Sequence, residues 1–362
     1  VQKCKKIAIL GAGFCGLAVA HHLSRYTDKG LDLEISIIDA GAIGDNASGI
    51  SAGLLYPYPG LHSKLARLGI EGFLETLKLI QIATHALNTS VAENTGLLRL
   101  ALSDNQKHDY KLASNKYDSI RWCEAEECQE IAPHSAKEPG IFIESAHIVK
   151  TKLYLEGLWA ACKKKNVLWI KDKIDSLTQL VSFDVIIVTN GASIIKLPEL
   201  SHLPIQPIKG QILEISWPDT LKIPLSSNAY LVPGNRPNTC FLGATFERNF
   251  NTEKADREHA AAYLKPKLQE IFPSLNDIEI VNCYSGVRAS GPKHLPLIKR
   301  ETENVWVLTG MGSKGLLYHA LYAKELVDQM FKTSALSSSS SLSVSFNFSS
   351  KKESRETPDT IS

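Results

Sequence analysis

The sequence predicts a two-part α/β protein: a parallel-sheet domain assembled from separated segments, and a second domain built on a mixed β-sheet. Three observations predict it. The 362 residues are enough for about two domains at roughly 150 residues each. The first forty residues read strand, glycine turn, helix, strand. Between Ile205 and Phe246 the pattern turns β-rich, with Pro and Gly at the breaks, after an apolar parallel-type strand at 184–188.

The elements follow in order. Lys5 to Leu10 is a short apolar run, Gly11-Ala12-Gly13-Phe14-Cys15-Gly16 follows it, and Leu17 to Arg25 has helical spacing. Leu33 to Ile38, β-branched and ending at Asp39, completes a βαβ unit. Leu61, Leu65, Leu68, Leu74, Leu77 and Ile80 predict one long helix over 61–88. A strand is expected over 96–102, a polar mixed stretch over 104–140, a helix over 153–164 and a strand over 167–170. Further on come a helix over 253–271, strands over 278–284 and 305–308, and a last helix ending near Phe331. Residues 333–362, with the serine run Ser337 to Ser341, are expected to form a disordered tail, since they carry too little apolar surface to offset ordering entropy. The alternation of Leu342, Val344, Phe346 and Phe348 within it is a weak strand signal.

Composition excludes several classes. Forty Lys and Arg against 38 Asp and Glu give a net charge of +2, too small a surplus for a protein gripping nucleic acid through a large basic surface. No apolar run reaches the ~18 residues of a membrane-spanning helix. Ile7-Ala8-Ile9-Leu10, with glycines following at once, reads as a buried strand rather than a signal-peptide core. Seven scattered cysteines, odd in number and without a CxxC, point to reduced thiols and a cytoplasmic location, and no pattern of ligands predicts a metal.

The glycine fingerprint carries the chemistry. Gly11 permits a tight turn, Gly13 lets backbone approach a pyrophosphate at the positive end of a helix, and Gly16 lets that helix pack closely on the strand. Asp39 ends the second strand, where a carboxylate accepts from ribose hydroxyls and disfavours a 2′-phosphate. This is a dinucleotide site, and FAD and NAD share it. The small-residue stretch Asn46 to Pro57 fits the close backbone approach of a flat isoalloxazine, with Ser48 in reach of a pyrophosphate or ribitol; it also reads as a plain flexible loop.

These pieces resemble the D-amino-acid oxidase/glycine oxidase superfamily of FAD-dependent amine oxidoreductases. The resemblance rests on the fingerprint, Asp39 and Ala47 to Leu55; on Asp184 to Ala192, Pro207 to Gln211 and Tyr230 to Pro233; and on Gly286-Val287-Arg288, Leu295 to Ile298 and the Gly310 to Leu316 turn. It implies a Rossmann-like, glutathione-reductase-like FAD domain over 1–60, 140–200 and 285–332, and a substrate domain over 61–139 and 201–284. It implies non-covalent FAD held by Gly11, Gly13, Phe14, Gly16, Asp39, Ala47, Ser48, Gly53, Leu54, Ile174, Gly191, Gly312, Ser313, Lys314, Gly315 and Leu316. Members with covalent flavin use a cysteine shortly after the Arg288 region, and Ala289 to Arg300 has none.

Arg288 matches the superfamily's carboxylate-binding arginine, and a planar guanidinium holds a carboxylate with two parallel hydrogen bonds. Tyr230 and Tyr56 are the substrate-facing candidates. Lys314, at a helix start, suits an anionic reduced flavin. The expected activity is oxidation of a C–N bond in an amino acid or secondary amine by hydride transfer to flavin. Ala47-Ser48-Gly49, Gly53 to Pro57 and Gly312 to Gly315 also resemble the FAD domain of the bifunctional bacterial tRNA wobble-uridine methylaminomethyl enzymes. That family usually has Arg in place of Lys314 and carries a methyltransferase domain before its FAD domain, and no such domain is expected within these 362 residues. Oxidation of a carboxymethylaminomethyl group on tRNA is therefore the alternative, tRNA a possible but not favoured partner, and a flavin-binding sensor without turnover a third reading. The sequence leaves the oligomeric state open.

Overall fold

The computed structural model describes residues 4–218, 221–275 and 277–338, with side chains as far as residue 332. The chain divides into two compact units, Val1–Val327 and Asp328–Ser362; the expected substrate domain lies within the first, as does the expected FAD domain except for residues 328–332.

One sheet grows from the opening βαβ unit. β1 (Lys5–Leu10) lies between β2 (Leu33–Asp39) and β10 (Val185–Val188), with β9 (Leu168–Lys171) beyond β2 and β17 (Val305–Thr309) beyond β10, all parallel. β16 (Leu297–Arg300) adds an antiparallel edge to β17. Helices cover such a sheet on both faces, so β1 and β10 read as near-continuous apolar runs and Ile9 is fully buried between Ile37 and Ile187. α1 (Phe14–Thr27) packs on β2 and on α6 (Thr151–Lys163), burying Leu17, Ala18, Val19 and Leu23.

The second sheet has eight strands. In spatial order they are β15 (Ile280–Ser290), β11 (Gln206–Ser216), β14 (Thr239–Gly243), β13 (Tyr230–Pro233), β12 (Leu225–Ser226), β5 (Leu97–Leu100), β7 (Gly140–Ile143) and β6 (Ile120–Cys123). All its pairings are antiparallel except β12 with β5. α7 (Arg257–Ile271) starts at its cap, where the Asp256 carboxylate accepts from His259 N–H. It lays Leu264, Leu268 and Ile271 on Leu213, Ile215, Leu231 and Leu242. Each such buried leucine is worth about 2 kcal/mol. A small third sheet joins β3 (Leu54–Leu55), β8 (His147–Val149) and β4 (Ala92–Asn94). α2 (Ala47–Ile50) is a single turn beside β15.

Several expectations shift. The helix expected over 61–88 is α3 (Gly69–Leu87) alone. Ahead of it the buried guanidinium of Arg99 donates to the Tyr58 and Gly60 carbonyls and to Ser63 Oγ, holding the segment as a loop whose Leu61, Leu65 and Leu68 stay exposed. The periodicity there has no face to bury. The mixed stretch 104–140 contains α4 (Asp104–Lys116), β6, α5 (Ala125–Ile131) and the start of β7. α4 buries only Gln106, Tyr110 and Ala113, too few apolar positions to show as a pattern. The strand expected over 278–284 runs six residues further, to Ser290, and so carries Arg288. The domain boundary expected at 140 falls ahead of β7, which joins the eight-stranded sheet, and that at 285 cuts β15. The last helix, α8 (Gly315–Ser338), passes the expected end near Phe331; the tail and the alternating stretch around Phe346 lie, from residue 339, outside the described residues.

Candidate active site

A cleft of about 1110 Å³ opens beside the parallel sheet and reaches β11, β13 and β15 of the larger one. Ends of parallel strands are where α/β folds place ligands. The fingerprint forms its floor. Gly11 has φ +104, and a Cβ on it would lie 2.8 Å from Asn190 Cα, so only glycine fits this turn. Gly13 caps α1 without a side-chain hydrogen bond, and no acid sits in the first helical turn. Ser48 Oγ takes the Phe14 N–H, and the rest of the first turn presents its N–H groups and a positive end to the cleft. Gly16 does not line the cleft; its Cβ would overlap the Gly11 carbonyl oxygen, which gives it a packing role.

Asp39 holds the turn from the second strand. Its Oδ2 accepts from Ala12 N–H at 2.8 Å and its Oδ1 from Gly41 N–H at 2.9 Å, fixing the carboxylate at the cleft edge. Ser48 stands over Gly13, accepting from Phe14 N–H at 3.2 Å. The small residues around it are needed by the chain itself. A Cβ on Gly49 would overlap the Gly44 backbone, and one on Gly53, at φ +75, the Val149 carbonyl.

Phe14, Ala47, Leu54, Tyr56, Ile174, Gly191, Gly312, Ser313, Lys314, Gly315 and Leu316 line the same cleft, as do Gly11, Gly13, Asp39, Ser48, Gly53, Tyr230 and Arg288. The structure thus brings together every predicted site residue except Gly16.

The substrate candidates come from neighbouring strands. Arg288 on β15 pairs in register with Ile208, and its guanidinium lies across Gly210 of β11, where Nη1 donates to the Thr245 carbonyl at 3.4 Å. Tyr230 on β13 faces Gly243 of β14, whose missing side chain leaves room for the phenol. Burial raises the Tyr230 hydroxyl above the usual tyrosine range, and the Arg288 charge pulls the other way. Burial lowers the Lys314 ammonium, which rests 5.4 Å from the Tyr318 ring centroid. Among the described residues neither Arg288 nor Lys314 has a carboxylate within ion-pair distance, so both cations face the cleft uncompensated. Uncompensated cations in the lining suit an anionic ligand.

Sequence reasoning missed Gly210 and Gly243 as space-makers for Arg288 and Tyr230, since cross-strand register has no local signal. It also missed Asn190, whose buried Oδ1 has no partner and which lines the cleft behind Gly11. Among the described residues no group of three or more His, Cys, Asp or Glu could hold a metal ion.

Residues 6–329 match the family described as DAO, FAD dependent oxidoreductase. The chain belongs to this family. A tRNA 5-methylaminomethyl-2-thiouridine biosynthesis bifunctional protein MnmC of Methylobacillus flagellatus is 24% identical, over 90% of this chain and 56% of its own length. The chain spans about half the length of the relatives of this kind that it matches. A glycine oxidase of Bacillus licheniformis is 22% identical, with 84% and 86% covered. Among solved structures, glycine oxidase from Geobacillus kaustophilus superposes with a TM-score of 0.77 at 18% identity, covering 91% of this chain and 95% of that one. Iminodiacetate oxidase from Chelativorans sp. BNC1 gives 0.73 at 20%, covering 90% and 95%. The fold is that of the FAD enzymes of this type.

The cofactor of this DAO-family chain is FAD, and the cleft fits it. The α1 N-terminus, with no acid in its first turn, suits a pyrophosphate, Asp39 suits ribose hydroxyls, and the orphaned Asn190 Oδ1 is a buried acceptor waiting for a donor. No helix among the described residues is long and apolar enough to cross a membrane.

Proposed function

We propose that the chain oxidises a C–N bond in an amino acid or secondary amine that bears a carboxylate. The observation that carries this is Arg288, an uncompensated guanidinium laid flat over Gly210 into the FAD cleft. In this class of reaction a hydride leaves the carbon beside the nitrogen, the resulting imine is hydrolysed by water, and bound FAD supplies the two-electron acceptor. Arg288 would hold the substrate carboxylate, with Tyr230 and Tyr56 lining the same space. Orientation through two parallel hydrogen bonds is what a guanidinium offers and an ammonium does not. No side chain need act as a strong base if the amine arrives neutral. Gly11, Gly13, Ser48 and Asp39 would hold the dinucleotide without a covalent bond, and the Gly312–Leu316 turn with Lys314 the flavin end. Glycine oxidase and iminodiacetate oxidase, among the similar proteins, are named for substrates of this kind.

A second reading has its own support. The MnmC relatives point to a carboxymethylaminomethyl group on a tRNA wobble uridine, which is also a secondary amine bearing a carboxylate. Anaerobic mixing of the yellow protein with a panel of free amino acids and N-substituted glycines, and separately with tRNA carrying the modified base, tests both. Bleaching by a small amine supports the first reading; bleaching by tRNA alone replaces it with the second. No bleaching by either leaves a flavin-binding sensor. A cytoplasmic location accords with the seven free cysteines.

A further inference from the structure

We infer that His319, backed by Tyr154, is the positioning residue that fixes the two FAD-binding loops relative to each other. His319 lies on α8, four residues past the start of that helix, and is fully buried. Its Nδ1 is 3.1 Å from the carbonyl oxygens of both Gly315 and Leu316. Its Nε2 is 2.7 Å from the Tyr154 hydroxyl on α6. Carbonyls only accept, so Nδ1 carries the hydrogen and Nε2 accepts from the tyrosine O–H. Burial lowers the imidazole to about 4, so it is neutral and this tautomer is set.

The ring touches the other loop as well. Phe14, the residue after Gly13, packs against His319 with centroids 5.1 Å apart and against Tyr154 at 6.1 Å. Phe14 also ties back to Ser48 through its N–H. One imidazole thus bears on the fingerprint through Phe14 and on the Gly312–Leu316 turn through its carbonyls. Thr76 on α3 adds a second donor to the Leu316 carbonyl at 3.1 Å. These contacts tie the first α8 turn, whose Gly315 and Leu316 line the cleft, to α6 and α3. An apolar side chain of similar volume would fill the space but leave the Tyr154 hydroxyl buried and unpaired. None of this depends on the identity of the amine.

The test separates positioning from simple core packing. Apoproteins of the wild type, Tyr154→Phe, His319→Gln, His319→Leu and Leu264→Ala are titrated with FAD, following flavin fluorescence, and unfolded in urea. Leu264 is fully buried under α7 in the other core. It should lower the urea midpoint with FAD affinity within twofold of wild type. Tyr154→Phe and His319→Leu should weaken FAD binding by about tenfold or more, with His319→Gln, which keeps a donor and an acceptor, restoring part of the loss. Should His319→Leu fail to fold, Tyr154→Phe, which removes one oxygen, decides alone. Lowered urea midpoints with FAD affinity unchanged in the Tyr154 and His319 variants would overturn the inference and leave His319 a core residue.

Discussion

Gly210 on β11 lies directly beneath the guanidinium of Arg288 on β15: a Cβ at Gly210 would overlap Nη2, although the register pairs Arg288 with Ile208. The position of the cation is thus set by the absence of a side chain on the next strand.

Gly210→Ala should therefore act on the substrate and not on the fold. The overlapping atom is the far end of a flexible side chain, so the strand tolerates the methyl group while Arg288 is pushed aside. FAD content and melting temperature should stay near wild type. Anaerobic flavin reduction by a carboxylate-bearing amine should slow about tenfold to a hundredfold, since a shift of an ångström in a clamp costs that order of rate. An unchanged rate would show that Arg288 does not hold the substrate.

Arg288→Ala should leave FAD bound and slow reduction by about tenfold to over a hundredfold, the worth of a lost charged hydrogen bond of about 1.5–3 kcal/mol. Arg288→Lys should recover only part, because a point charge lacks the planar fork. The loss should be large for amines with a carboxylate and small for analogues without one. Stopped-flow bleaching with such a matched pair reads this out, and equal losses would assign Arg288 to the fold or the flavin.

Gly13→Val should purify colourless. A Cβ there already lies 2.8 Å from Ser48 Oγ, and a branched side chain would fill the approach over the α1 N-terminus. Absorbance at the flavin band against protein, with the released ligand weighed by mass spectrometry, measures it. A fully loaded yellow variant would move the pyrophosphate elsewhere.

Stability should fall as pH falls from about 6.5 toward 5. Burial lowers His319 to about 4, and lowers His22 to about 3 together with His21 and Arg25. Both are neutral in the fold, and the unfolded chain takes up protons first, at about 6.5. Their contribution is full above 6.5 and is lost as pH drops through the folded values. Each should cost about 2 kcal/mol between pH 6.5 and 5, a window above most carboxylate titration. Urea midpoints of the apoprotein at pH 7, 6 and 5 test the slope, which should be shallower in His319→Gln.

The dinucleotide half was legible because its signal is local. Gly11, Gly13 and Asp39 act within one βαβ unit, where turn geometry and strand ends are written in consecutive residues. Arg288 was legible only through resemblance, since nothing around it in sequence marks it as the partner of Gly210. Gly243, Asn190 and His319 were missed for the same reason: their contacts run to Tyr230, to Gly11 and to Tyr154, each from a different strand or helix. The loop at 61–68 misled because its leucines keep helical spacing while Arg99 holds the preceding backbone away from a helix.

β15 carries two contacts of different kinds on one face. At Gly286 it abuts the Ala47 segment, where a Cβ would lie 3.0 Å from Ala47 Cα, and two residues later it presents Arg288. Two strand residues span about 7 Å. The strand works as a fixed ruler between the Ala47 segment and the Arg288 guanidinium, braced along its length by β11. Accommodating a longer or bulkier amine cannot come from stretching that interval. It has to come from another part of the lining, such as the loop of Tyr56, Pro59 and Gly60 whose backbone Arg99 holds, and that is where a directed library aimed at a new substrate should be placed.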